Sequence, residues 1–215
     1  MNLTLQNNTI FQVVGPSGSG KTLFVTQLLL NSEKLFQNKI NRIYWLQGSV
    51  NDGGESGITK NQMVRLKRRI TYLKGFVKGW QDKAKRGDAI VIDDLFMEST
   101  KETSFNNLFT KIARHRGVTV IFITQNMFHQ GGNHRTRNLN VHYLVLFKNP
   151  RDQSVIDFIA RQAYPTNKKF LISAFQDATE NKPYGYLFID FTQTCLDSLR
   201  VRTDIFNPQG ITVYK

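Results

Sequence analysis

The sequence predicts an α/β fold, with a central, mainly parallel sheet flanked by helices and additional strands near its C-terminal end. Three observations lead there. Short apolar runs recur at 10–14, 89–93, 118–124 and 141–147, with helical patterns between several of them. Strands that alternate with helices form parallel sheets covered on both faces, and such strands read as continuous apolar runs. The first run is joined to the first helical segment by a glycine-rich stretch. Past residue 165 the pattern changes to apolar runs with short connections, which extend one sheet edge in mixed or antiparallel fashion.

Taken in order, Ile10-Phe-Gln-Val-Val14 is a strand, and residues 22–30 suit a buried helix. Residues 41–46 form a second strand, leading into a polar loop at 47–59 that contains Gly48, Gly53, Gly54 and Gly57. Helical patterns then carry a run of basic residues, with a break at Gly75 and Gly79. Residues 89–93 form a buried strand ending in two acids, Asp93 and Asp94. Phe105, Leu108, Phe109 and Ile112 share one face at helical spacing, so 101–115 reads as a helix. Two further strands follow, and then three more at 170–172, 186–191 and 211–214.

At 215 residues, the chain is most simply one domain spanning 1–215. Its 40% hydrophobic and 12% aromatic content suits a packed core rather than a disordered chain. No apolar run approaches the roughly 18 residues that span a bilayer, and the N-terminus lacks the pattern of a signal peptide. The single cysteine, Cys195, rules out an internal disulfide framework, and four scattered histidines argue against structural zinc. These features suit a cytosolic or nuclear protein with no membrane partner. The net charge is +13, with nine Lys/Arg residues against Asp82 alone between Arg65 and Arg86. Arg65, Lys67, Arg68 and Arg69 are the densest part. Such a surface attracts nucleic-acid backbones independently of sequence, or serves as a solvated helix face.

The stretch Gly15-Pro16-Ser17-Gly18-Ser19-Gly20-Lys21-Thr22 fits G-x-x-x-x-G-K-[ST], a phosphate-binding loop. In a chain of this length a chance match has odds of roughly one in a hundred. Gly15, Gly18 and Gly20 are expected to take positive φ and approach an anion. Successive backbone N–H groups then surround a β-phosphate, backed by the positive end of the following helix. Lys21 bridges β- and γ-phosphates of ATP, and the Thr22 hydroxyl ligates Mg²⁺.

Further candidates follow from the same chemistry. Asp93, ending an apolar strand, is expected to hold Mg²⁺ opposite Thr22. Asp94 is placed to orient the attacking water, with Glu98 as the substitute; a turn or N-cap use of the Asp pair is the structural alternative. Gln125 follows the 118–124 strand, where its amide can contact a γ-phosphate or hold water, or simply face a loop. Arg114 and Arg116 end the 101–115 helix, where cations complement the helix dipole. They can equally reach a neighbouring subunit's nucleotide and stabilise transition-state charge. Arg135 and Arg137 are rivals for that role.

This order of elements resembles the viral genome-packaging ATPases of the FtsK–HerA superfamily, including those of poxviruses, virophages and Maverick-type transposons. The likeness is carried by residues 14–22, by Ile92-Asp-Asp-Leu95, by residues 114–126, by residues 143–152 and by residues 183–190. It implies a RecA-like P-loop fold of the ASCE type, with an extra strand between the loop strand and the acid-bearing strand. It further implies Gln125 as sensor and Arg114 or Arg116 as a trans-acting finger. A homo-oligomeric ring, commonly a hexamer, that drives double-stranded DNA into a preformed capsid follows from the same likeness. Capsid or portal-like proteins are then partners, and the host cytoplasm, nucleus or virion the location. Many relatives carry Glu where Asp94 stands, so the assignment of the base rests between Asp94 and Glu98. Two other readings of the residues remain: a small nucleoside or nucleotide kinase, and a nucleotide-gated DNA-binding module.

Overall fold

The computed structural model describes residues 4–48, 64, 66, 68–75, 80–93, 95, 113–125, 127, 141–180 and 182–215. In chain order the elements are β1 (Ile10–Val14), α1 (Lys21–Leu30), α2 (Ser32–Leu35), β2 (Ile43–Gln47), β3 (Ile70–Lys74) and α3 (Trp80–Lys83). There follow β4 (Ala89–Asp93), α4 (Ala113–Arg116), β5 (Thr119–Thr124), β6 (Tyr143–Phe147), α5 (Ser154–Ala163) and α6 (Lys168–Thr179). The chain closes with β7 (Tyr186–Asp190), β8 (Val201–Thr203) and β9 (Thr212–Tyr214).

The nine described strands form one sheet in the order β3-β2-β4-β5-β1-β6-β7-β8-β9. All pairings from β3 to β6 are parallel, and those from β6 to β9 are antiparallel. The acid-bearing β4 is thus separated from β1 by β5, as the resemblance implies. Every residue of β1, β2, β5, β6 and β7 is buried, which is why those strands read as unbroken apolar runs.

Alternate residues of β1 feed two cores. Phe11 and Val13 pack in one cluster with Phe24, Val25 and Leu28 of α1. Ile10 and Val14 join the other, with Ile156 and Ala160 of α5 and Leu171 and Ala174 of α6. The period of two along a strand and the buried stripe of each helix thus produce a helix–sheet–helix sandwich. Each fully buried aliphatic side chain in these layers stabilises the fold by about 1.5–3 kcal/mol.

Two expectations from the sequence are corrected here. Residues 170–172 are not a strand: they belong to α6, whose cap is Asn167, with its Oδ1 accepting from Phe170 N at 3.3 Å. Of the three apolar residues only Leu171 is buried, and it lines up with Ala174 and Ala178 at helical spacing. Residues 70–74, expected to be helical, form the edge strand β3 beside β2. The β-branched Ile70 and Thr71 with Tyr72 suit a pleated, half-covered surface. The predicted helix at 101–115 is described only over its end, where Ala113–Arg116 is helical. Beyond Gln47 and Gly48, the predicted loop at 47–59 lies outside the described residues.

Cys195 lies at the edge of the sheet where β6 begins and β7 ends, lining a cavity of about 240 Å³ with Tyr143, Asp190 and Arg202. Burial, reinforced by the Asp190 carboxylate, pushes the thiol up to about 11, although the Arg202 guanidinium donates to Sγ at 3.3 Å and acts the other way. From an ordinary value of 9, that shift lowers the thiolate fraction at neutral pH by about a hundredfold. The greater nucleophilicity of a more basic thiolate restores about tenfold. Maleimide labelling at pH 7.5 is therefore expected to run about tenfold slower than on a free cysteine, and to accelerate up to about pH 11. Labelling at the free-thiol rate would show that the site is not closed in this way.

Candidate functional site

The turn from β1 into α1 builds a cradle for an anion. Gly15 N donates to Thr124 O at 3.2 Å, carrying the β1–β5 ladder one step past the strand end. Ser19 N then donates to Pro16 O at 3.2 Å, closing the loop on itself. Gly18 (φ 76°) and Gly20 (φ 99°) take the left-handed conformation, which only glycine adopts at little cost. Gly15 does not have a positive φ, contrary to expectation. Its reason is space: an added Cβ would stand 2.6 Å from Phe147 Cβ and 2.7 Å from Ser19 Oγ. A Cβ on Gly18 would meet nothing within 4 Å, so the loop opens there.

Lys21 begins α1, with Gly20 as its N-cap, and the Lys21 side chain is 6% exposed. Its Nζ donates to Pro16 O at 2.8 Å, which arches the ammonium over the loop. Thr22 is half-buried in the first turn. Ser19 Oγ and, at the end of neighbouring β5, Thr124 Oγ1 are buried with no hydrogen-bond partner among the described residues. Buried polar atoms of this kind call for a ligand or water. Together with left-handed glycines, backbone N–H groups at a helix start and a lysine, they fit a phosphate.

Register fixes the remaining groups. Asp93 pairs with Ile123, and Ile123 with Val13, so the Asp93 backbone stands level with the end of β1 and two strand spacings away, about 10 Å. Trp45 Nε1 donates to Asp93 Oδ2 at 3.2 Å, orienting that carboxylate from β2. Gln125 directly follows β5, between the two, and is exposed. With Gly15, Asn149 and Asp152 it lines a narrow cleft beside the loop. The structure therefore brings Gly15–Thr22, Asp93 and Gln125 to one edge of the sheet.

Arg114 and Arg116 stand elsewhere. They precede β5, whose six residues span about 20 Å, so they lie at the opposite edge from the loop of the same chain. Arg116 Nη2 contacts Asp82 Oδ1 at 2.8 Å in an exposed ion pair, a kind worth about 0–1 kcal/mol and readily exchanged. For Arg114 the backbone alone is described. Asp94, Glu98, Arg135 and Arg137 lie outside the described residues, as do Arg65 and Lys67 of the basic run. Within that run Arg68 is exposed, whereas Arg69 donates to the carbonyls of Ile40 and Asn41, a structural use the charge pattern did not reveal.

Sequence reasoning missed Trp45 and Tyr184. The first had a signal, because an indole N–H inside a buried strand needs an acceptor. Tyr184 had none locally: its ring would lie 2.9 Å from a Cβ on Gly20, a contact made only by folding.

A loop after β1, an acid ending β4 and a polar residue after the intervening β5 define a RecA-like P-loop nucleotide-binding protein. The family model described as Poxvirus A32 protein matches residues 3–208, and the chain belongs to that family. No curated protein sequence matches it. Among solved structures it is similar to the DNA-packaging ATPase B204 from Sulfolobus turreted icosahedral virus, at 14% identity and TM-score 0.55, covering 100% of this chain and 98% of that one. The genome packaging NTPase B204 from Sulfolobus turreted icosahedral virus 2, in complex with sulfate, aligns with TM-score 0.58 at 14% identity over 98% of each chain. The same protein in complex with AMPPCP aligns with TM-score 0.54 at 13% identity, over 97% and 98%. At such identity the likeness is one of fold. No described helix is long and apolar enough to cross a membrane.

Proposed function

We propose that the protein is a genome-packaging ATPase that hydrolyses ATP to drive double-stranded DNA into a capsid. The observation that carries this reading is the shared sheet edge of Lys21, Asp93 and Gln125, in the strand order β4-β5-β1. Membership of the Poxvirus A32 family and a fold shared with B204 packaging enzymes support it, as does the net charge of +13.

The loop amides and Lys21 bind and orient the β- and γ-phosphates. Thr22 and Asp93 would hold Mg²⁺, a hard cation that takes one or two protein oxygens alongside phosphates. That ion, when bound, neutralises charge developing on the phosphate oxygens. Gln125 contacts the γ-phosphate or the attacking water without adding charge. Water oxygen attacks the γ-phosphorus, the bond to the β–γ bridging oxygen breaks, and ADP leaves. Asp94 or Glu98 accepts the proton of that water.

Arg114 or Arg116 cannot serve the nucleotide of its own chain, because about 20 Å of strand lies between them. In a ring the same arginines reach the neighbour's γ-phosphate. Double-stranded DNA passes along the basic surface of that ring, and capsid or portal-like proteins receive it. Measured at low salt, ATP turnover is expected to rise severalfold on adding duplex DNA, and the rise to fade as salt is increased. Turnover indifferent to DNA at every salt concentration would overturn the packaging reading while leaving the ATPase intact.

A further inference from the structure

Tyr184 occupies a conformation that a tyrosine rarely takes. Lys182, Pro183, Tyr184 and Gly185 form a turn closed by Gly185 N donating to Lys182 O at 3.0 Å. Proline suits its second position, and the third takes φ 61°, where glycine or asparagine is the usual residue. Here the third residue is Tyr184, and glycine follows it instead. Gly185 is fixed by close packing, since an added Cβ would lie 2.5 Å from Ala178 O and 3.0 Å from Thr179 Cα. Lys182 Nζ meets Asp204 Oδ2 at 2.7 Å, tying the turn to the strand-end segment after β8. The surroundings thus hold the turn in place, and Tyr184 is left 58% exposed.

That ring lies against the phosphate loop. Its Cδ1, Cβ and Cγ stand 2.9, 3.1 and 3.2 Å from where a Cβ on Gly20 would be, beside the start of α1. Direction matters as much as proximity. Asp93 and Gln125 lie on the β4–β5 side of β1, whereas Tyr184 enters β7, on the β6 side. Tyr186 pairs with Phe147 at the end of β6, so this turn shares the sheet edge of the loop. A nucleotide whose terminal phosphate faces Asp93 must leave the loop with its ribose and base on the other flank. Among the described residues, the exposed aromatic face on that flank belongs to Tyr184.

We infer that Tyr184 is the base-stacking platform of the nucleotide site, an inference that rests on the loop binding a nucleoside triphosphate. Stacking on an aromatic face tolerates any purine, so the platform contributes affinity for ATP and GTP alike. An exposed tyrosine kept in a left-handed turn, where glycine would fit with less strain, is a conformation retained for the ring.

The test is calorimetric titration of the full chain with Mg-ATP, Mg-GTP and Mg-tripolyphosphate, comparing wild type with Tyr184→Gly and Tyr184→Phe. Tyr184→Gly is expected to weaken both nucleotides about tenfold or more, from the usual worth of base–aromatic stacking, and to leave tripolyphosphate within about twofold. Its melting temperature should be unchanged or higher, because glycine relieves the backbone. Tyr184→Phe keeps the ring and should bind like wild type. Nucleotide affinity unaltered by Tyr184→Gly overturns the inference. So does an equal loss for tripolyphosphate, which would mark the ring as a mere prop for Gly20. Wild type that binds neither nucleotide nor tripolyphosphate would instead sink the phosphate-loop reading, and this inference with it.

Discussion

Lys21→Ala lowers ATP turnover by at least about a hundredfold and leaves the fold standing. The magnitude follows from what removing one preorganised electrostatic group costs a transition state, about 10²–10³ in rate. Lys21 is well placed to have that effect. It is 6% exposed, so its charge acts where solvent screens it little, and Nζ is held over the loop by Pro16 O at 2.8 Å. Alanine is a good helix former at the first position of α1, so thermal unfolding should shift by only a few degrees. Turnover near the wild-type level would overturn the site. Lys21→Ala also offers a test of shared sites. Mixed with a variant lacking both Arg114 and Arg116, it should recover part of the activity, because each copy supplies what the other lacks. No recovery in mixed rings would confine each site to one chain.

Asp93→Asn is expected to cut turnover by about a hundredfold or more while nucleotide still binds, weakly dependent on Mg²⁺. The amide keeps the shape and an oxygen able to accept from Trp45 Nε1, now 3.2 Å from Oδ2. What it loses is the negative charge that would favour a divalent cation beside the phosphates. Stability should change by no more than about 1 kcal/mol, since the hydrogen bond survives. The discriminating measurement is the Mg²⁺ dependence of ATP affinity, steep in wild type and shallow in Asp93→Asn. Equal dependence in both would remove Asp93 from the metal.

The core of the sheet was legible because its chemistry is local. β1, β4, β5 and β6 are buried on both faces and appear as apolar runs whatever surrounds them. The phosphate loop was legible for a similar reason, since its residues form the site by their order alone. β3 was not: at the sheet edge its side chains are half covered or exposed, and its Lys74 sits within a basic run that reads as a helix face. In α6, the adjacent Phe170, Leu171 and Ile172 imitate a strand, and only packing decides that Leu171 alone turns inward while Phe170 leans on Tyr164 at 5.4 Å. The sequence reading did not include α5, although its start carries a local signal. Asp152 Oδ1 accepts from both the backbone and the hydroxyl of Ser154, ahead of buried Val155, Ile156, Ile159 and Ala160. Tyr184 lay beyond reach, because its neighbour Gly20 is distant along the chain and near only in space.

The indole that steadies Asp93 gives the molecule an optical gauge of its own. Emission from such a ring responds to electric fields a few ångströms away, and here the field in question is that of the carboxylate at the tip of β4. A cation arriving at that carboxylate, or a proton neutralising it, changes the light from Trp45 without any label attached. Events at the Asp93 carboxylate can thus be watched from within, from the strand next to β4.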